Sequence, residues 1–224
     1  MKKLLYISAN PKEDIKMSKG LQIGEVFLDA FKEENRDVLI EKWDLYRMDV
    51  PIIDTDLLYA RAKLSFMGYT KDQLTQAERE KIEAMHELAE RFIAADYYVF
   101  VTPLWNLGSP SILKAFLDNL FITGKTFTNT KEGPIGLLTN KIGLHIQTRG
   151  GIYSSGPMKE REFGDCFLRT ALEFLGVQLM DSIIAEGLDH FPKRIPEIMN
   201  RAKEEAALAG SMMAKGQVQH YTNK

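Results

Sequence analysis

The feature that most constrains this chain is an alternation of hydrophobic period. Short apolar runs of strand type take turns with longer runs whose apolar residues recur every three or four positions. Leu4-Leu5-Tyr6-Ile7 is an apolar block closed by Asn10-Pro11, as expected of a buried strand. Over residues 18–35, Leu21, Val26, Phe27, Ala30 and Phe31 fall at helical spacing. Residues 37–45 read as a second strand with apolar and charged residues on both faces, which suits a sheet edge. Residues 51–74 show no clean period and carry Tyr59, Phe66 and Tyr69 among polar neighbours; a connection this long inside a domain suggests a lid-like insertion. Thr75-Gln76-Ala77-Glu78 matches the capping box and predicts a helix to about residue 95. The run Tyr97 to Thr102 reads as a central strand. Ser109-Pro110 predicts a serine cap and a helix through about residue 121. Residues 124–140 are turn-rich. A strand over 142–148, a helix over 159–175 stopped by Gly176, a strand over 177–185 and a helix over 196–215 complete the pattern.

Five strands alternating with five helices predict an α/β fold, a doubly wound five-stranded parallel sheet with helices on both faces. No repeat or linker divides the chain, so residues 1–224 are expected to form one domain, with 216–224 as a polar tail. In the five-stranded order 2-1-3-4-5, ligands bind beyond the carboxyl ends of strands 1 and 3. The loops at 8–20, 103–110 and 148–157 are therefore the place to look for chemistry.

Composition excludes several classes. The chain holds 29 Lys and Arg against 31 Asp and Glu, a net charge of −2, which removes the electrostatic case for a nucleic-acid binder. A single cysteine, Cys166, leaves no intramolecular disulfide and no cysteine-based zinc site. The apolar run after Met1-Lys2-Lys3 is too short for a signal peptide, and no 18-residue apolar stretch suggests a membrane span. A soluble cytoplasmic chain is the expectation.

The first loop lacks G-x-G-x-x-G, so a dinucleotide fold of that kind is disfavoured. Ser18 reads either as a plain helix cap or, with Lys19 and the amides of residues 18–20, as a phosphate cradle at a helix N-terminus. In the second loop, Trp105 could lie against a flat heteroaromatic ring and Asn106 could meet its polar edge; equally, they could be a core tryptophan and a turn asparagine. In the third, Gly150 and Gly151 would let main-chain N–H groups approach a ligand, and Arg149 could offset negative charge there; the plain alternative is a glycine turn with an arginine in solvent. Convergence of the three loops on one mouth of the sheet favours the ligand readings.

Other motifs fail. Gly124-Lys125-Thr126 resembles the end of a phosphate loop, but Asn119 occupies the place of the required earlier glycine. The histidines at 86, 145, 190 and 220 show no metal-ligand spacing: His86 is expected on a helix surface, His145 as a satisfied core residue and His220 in the tail. Cys166 is expected to be buried and inert. No G-x-S-x-G is present, which disfavours an α/β-hydrolase.

Taken together, Pro103-Leu104-Trp105-Asn106-Leu107, Pro110-Ser111-Ile112-Leu113-Lys114 through Asp118, Gly124-Lys125-Thr126-Phe127, Glu132 through Leu137, Thr148-Arg149-Gly150-Gly151 and Glu186-Gly187 resemble, in order, the motifs of the FMN-dependent NADH azoreductase and quinone reductase family. The likeness runs from residue 3 to about 210 and is greatest to the forms of Bacillus-like Gram-positive bacteria. It implies a flavodoxin-like fold, FMN as cofactor, NADH as electron donor, quinones and azo compounds as acceptors, and a homodimer with active sites at the subunit interface. By the same resemblance, Asn10, Ser18, Lys19 and Gly20 hold the phosphate and ribityl chain; Leu104, Trp105, Asn106 and Leu107 line the isoalloxazine; and Thr148, Arg149, Gly150 and Gly151 meet its pyrimidine edge. Asn10 and Gly20 stand where many members carry serine, and Asn129 follows Phe127 where some place a tyrosine.

The implied reaction is ping-pong: hydride passes from NADH to the flavin, and the acceptor then takes two electrons. The flavin carries this chemistry, so no protein acid, base or metal is assigned a catalytic role. Three alternatives remain at this level: a general NAD(P)H quinone or nitro reductase, a flavodoxin-type electron carrier, and a structural or regulatory flavodoxin-like protein without FMN, which the Asn10 and Gly20 departures keep open. The second fits less well with Lys19 and the small net charge.

Overall fold

A computed structural model describes residues 1–12 and 14–218; the end of the expected tail, with His220, lies outside the described residues. The elements in chain order are β1 (Lys3–Ser8), α1 (Lys19–Glu34), β2 (Leu39–Asp44), α2 (Thr55–Phe66), α3 (Gln76–Ile93), β3 (Tyr97–Pro103), α4 (Ser111–Asp118), β4 (Phe127–Thr130), β5 (Gly133–Gly136), β6 (Ile142–Thr148), α5 (Gly164–Phe174), β7 (Gln178–Leu179), β8 (Ile183–Ala185) and α6 (Ile195–Ala214). The main sheet runs β2-β1-β3-β6, with β7 and β8 pairing successive parts of β6, and every pair is parallel. This is the 2-1-3-4-5 order, with the fifth strand in two pieces.

Strands β1 and β3 are buried on both faces, which explains their unbroken apolar character. β2 keeps charged and half-exposed positions at the edge. One face of the sheet packs on α1 and α6 through Phe27, Phe31, Ala202 and Ala206; the other packs on α3, α4 and α5 through Phe92, Phe100, Phe116 and Leu172. α1 and α6 approach closely because Gly210 has no side chain: a Cβ there would sit 2.5 Å from the Phe27 carbonyl oxygen.

Several elements depart from expectation for identifiable reasons. The strand expected over 177–185 splits because Arg169 Nη1 takes the Met180 carbonyl at 2.8 Å and Ser182 turns its hydroxyl to Asp165 at 2.6 Å. The helix expected over 159–175 becomes a 3-10 turn (Gly156–Arg161) followed by α5. It breaks where the Glu162 carboxylate accepts the N–H groups of Gly164, Asp165 and Cys166 at 2.8, 2.8 and 3.2 Å. Ser109 does not cap α4; its hydroxyl donates to the Gly164 carbonyl at 3.2 Å, and α4 starts behind Pro110. The turn-rich 124–140 stretch contains the antiparallel β4–β5 hairpin.

Residues 51–74 contain a helix, α2, where periodicity suggested none. Asp54 caps it by accepting the Leu57 N–H at 3.1 Å. Its apolar residues divide between the α3 interface (Leu57 and Ala60) and solvent (Leu58, Tyr59 and Phe66), so they trace no single stripe. Cys166 is exposed rather than buried: α5 turns Gly164, Leu168, Ala171 and Leu172 inward, and position 166 falls on the opposite side. His86 is half-buried in α3. Burial lowers its pKa, and the nearby cations Lys125 and Lys71 add to the effect.

Candidate active site

The carboxyl ends of β1, β3, β6 and β8 open into one pocket of about 210 Å³. Two cavities elsewhere are larger, at about 580 and 550 Å³; this one is singled out by its place at the switch in strand order and by its donors.

At one end stands the N-terminus of α1. Ser18 is the cap: its Oγ accepts the Leu21 N–H at 3.3 Å and the Asn10 amide at 2.9 Å. With Oγ accepting twice, the hydroxyl proton is free to donate outward. The N–H groups of Lys19 and Gly20 make no hydrogen bond among the described residues, as expected for the first turn of a helix. Lys12, Met17, Ser18 and Lys19 line this end. The capping and cradle readings of Ser18 are therefore compatible. Gly20 does not line the pocket. Its Cα faces the sheet, where a Cβ would touch Val101 and Thr148 at 3.4 and 3.5 Å.

The middle is formed by Pro103, Leu104 and Trp105. Trp105 is 42% exposed, which rules out the core reading. Trp105 and Gly108 exchange two main-chain hydrogen bonds of 2.8 and 2.9 Å, and Asn106 and Leu107 between them have φ of 47° and 73°. Two positive φ values define a primed hairpin turn. A leucine in this region stores strain of order 1–3 kcal/mol, a mark of functional turns. Asn106 and Leu107 form the tip beside the pocket without lining it.

At the far end, Thr148, Arg149 and Gly150 line the pocket, joined by Leu188 and Asp189 from beyond β8. Gly151 lies just behind. The amides of Gly150 and Gly151 are without partners among the described residues. Arg149 is 4% exposed and does not offer its guanidinium to the pocket. Nε donates to Gln147 Oε1 at 2.6 Å, while Nη1 and Nη2 pair with Glu186 and Glu162 at 3.4 and 3.6 Å. Beneath the floor, the buried Gln147 Nε2 lacks a partner among the described residues. Gly164 makes room there, since a Cβ would meet Gln147 Nε2 at 2.6 Å, Leu104 at 2.8 Å and Glu162 at 3.1 Å.

A second buried chain supports this floor. His145 Nε2 lies 2.9 Å from Thr102 Oγ1, and His145 Nδ1 lies 2.7 Å from Asp165 Oδ1. Both ring nitrogens are satisfied, as expected of a core histidine. Burial pushes the Asp165 carboxyl up, but the bonds from His145 and Ser182 and the charge of Arg169 outweigh it and hold the group below its ordinary range.

Unspent donors at both ends of a slot walled by Leu104 and Trp105 fit a flat molecule with an anion at one end and carbonyl acceptors at the other. FMN has that form. Comparison with known proteins agrees. A model of the flavodoxin-like fold family matches residues 2–208. An FMN-dependent NADH:quinone oxidoreductase from Staphylococcus haemolyticus is 43% identical over 206 residues, 92% of this chain and 97% of that protein. The chain belongs to this family. Among solved structures, an azoreductase from Bacillus anthracis superposes on it with a TM-score of 0.87 at 32% identity, over 94% of this chain and 99% of that one. An FMN-dependent NADH-azoreductase from the same species, in complex with FMN, gives 0.86 at 33% identity, over 96% and 100%.

Sequence reasoning thus brought together Asn10, Ser18, Lys19, Leu104, Trp105, Thr148, Arg149 and Gly150 at one pocket. It missed Leu188 and Asp189, which the same carboxyl-end rule, applied to the last strand, would have found. Glu186 carried only the family likeness of Glu186-Gly187, with no role attached, and Glu162 gave no signal.

Proposed function

We propose that the chain holds FMN across this mouth and uses it to pass two electrons from NADH to quinones and azo compounds. The observation that carries the reading is the set of unspent donors at both ends of one slot. Ser18, with the Lys19 and Gly20 amides, would meet the phosphate at the positive end of α1, and Lys12 and Lys19 add positive charge there. The Gly150 and Gly151 amides would meet ring carbonyl oxygens, and Leu104 and Trp105 would support the ring between. When bound, FMN would supply the hydride chemistry that links NADH to the acceptor. The chain binds and orients; Trp105, open to solvent, leaves space for a second flat molecule to enter and leave.

The working unit in this proposal is a homodimer. Leu58, Tyr59 and Phe66 on α2, and Trp105 and Phe163 near the mouth, are exposed apolar side chains of the kind an interface covers. Residues 51–74 pack on α3 and do not line the pocket of their own chain, so their service as a cover would be to a second subunit's site. No helix among the described residues is long and apolar enough to cross a membrane; a cytoplasmic location suits this and the lone cysteine.

The test is turnover. FMN-loaded protein should oxidise NADH when given a small naphthoquinone, and more slowly when given an azo dye. Absence of FMN-dependent NADH oxidation with either acceptor would refute the reading.

A further inference from the structure

We infer that Glu186, which does not line the pocket, is a positioning residue that sets the glycine loop at its far end. The inference rests on the reading that this mouth holds FMN. Glu186 follows β8, and its Oε2 receives three donors from the loop after β6. These are the N–H groups of Tyr153 at 2.9 Å and Ser154 at 3.0 Å, and Arg149 Nη1 at 3.4 Å. The main chain repeats the tie: Gly187 donates to the Gly151 carbonyl at 2.9 Å, Leu188 to Arg149 at 3.2 Å and Asp189 to Gly150 at 3.0 Å. With the carbonyls of residues 149–151 and the Tyr153 and Ser154 amides engaged in this way, the N–H groups of Gly150, Gly151 and Ile152 are the loop donors left over among the described residues, and the two glycine amides are those next to the pocket-lining Arg149.

The charges give the same assignment. Arg149 sits between Glu186 and Glu162, one cation facing two carboxylates, so its charge is more than offset inside the cluster. It acts as a strut, and the donors offered to a ligand are main-chain amides whose place Glu186 fixes. The carboxylate reaches the loop from behind, where it borders the cavity of about 580 Å³ shared with Ser154 and Arg201. It therefore acts through the loop and not on the ligand.

Two variants and two readouts test this. In the FMN-free protein, Glu186→Ala should speed amide exchange at Tyr153 and Ser154 by about tenfold, with exchange in β1 and β3 unchanged. Glu186→Gln keeps a carbonyl oxygen for those amides and should largely restore protection. FMN titration should show a dissociation constant raised about tenfold in the alanine variant and about threefold in the glutamine variant, since loss of a charge-assisted hydrogen bond has roughly this size. Unchanged exchange at Tyr153 and Ser154 in Glu186→Ala would overturn the inference. So would equal loss in both variants with faster exchange throughout the sheet, the mark of a merely structural role. A wild-type chain that takes up no FMN would refute the functional reading instead, and the exchange measurement would still decide whether Glu186 holds the loop.

Discussion

The phosphate end of the mouth and its ring end offer the same kind of donor, a main-chain N–H, but hold it in place by different means. At α1 the donors exist because a helix begins there, and Ser18 and Asn10, eight residues apart, complete the arrangement locally. At the 149–154 loop Glu186 and residues 187–189 take up the Tyr153 and Ser154 amides and the carbonyls of residues 149–151, and the Gly150 and Gly151 amides, with that of Ile152, stay unspent among the described residues. A buried cluster of Gln147, Arg149 and Glu162 fixes its base. One end depends on local chain geometry and the other on ion pairs brought together by the whole fold. The first should tolerate substitution at little cost to folding, and the second should not.

The sharpest way to break this contrast is Arg149→Ala. It would leave two carboxylates facing each other with their shared cation gone, and removing one partner from a buried ion cluster costs about 3–5 kcal/mol. Urea unfolding of the FMN-free protein measures it; a loss below about 1 kcal/mol would mean the ring end is no more dependent on its ion pairs than a surface site.

Next in size is Asp165→Asn, which removes the carboxylate between His145 and Ser182 at an expected cost of about 3 kcal/mol. Because the folded state holds this carboxyl below its ordinary pKa of 3.8, its stabilisation is present above that pH and fades as pH falls through the folded value. The wild type should therefore lose stability relative to the variant on acidification below about pH 4. Parallel pH dependences for the two proteins would contradict the assignment.

Ser18→Ala should cost about 1 kcal/mol of stability, the usual loss for a helix cap, while weakening FMN binding about tenfold. An equal and opposite ranking, large for folding and small for FMN, would reverse the contrast. The smallest effect is expected from Asn106→Gly. It removes the side-chain amide while easing the positive φ, so folding should change by less than about 1 kcal/mol and FMN retention should fall only a few-fold.

The same contrast explains what could be read from the chain before its structure. Sheet order, the Thr75–Glu78 capping box and the Ser18 end rest on period and on neighbours close in sequence, and all are legible. The carboxyl-end rule located Trp105 and Gly150 for the same reason. The division of the last strand, the break before α5 and the spent charge of Arg149 all follow from contacts between distant residues. Arg149 and Glu186 are 37 positions apart, and neither residue alone tells that an arginine after a strand will face inward to carboxylates. α2 was hidden differently, since its apolar residues serve two surroundings and leave no stripe.

The central claim is that one mouth, with donors at both ends, binds FMN for reduction by NADH. Anaerobic titration of the FMN-loaded protein with NADH, followed by the flavin's visible absorbance, tests it most directly. The account predicts about one flavin per chain, with the yellow band bleached by about one equivalent of NADH and restored on adding a quinone. A protein that stays colourless in excess FMN, or whose bound flavin is untouched by NADH, would contradict it.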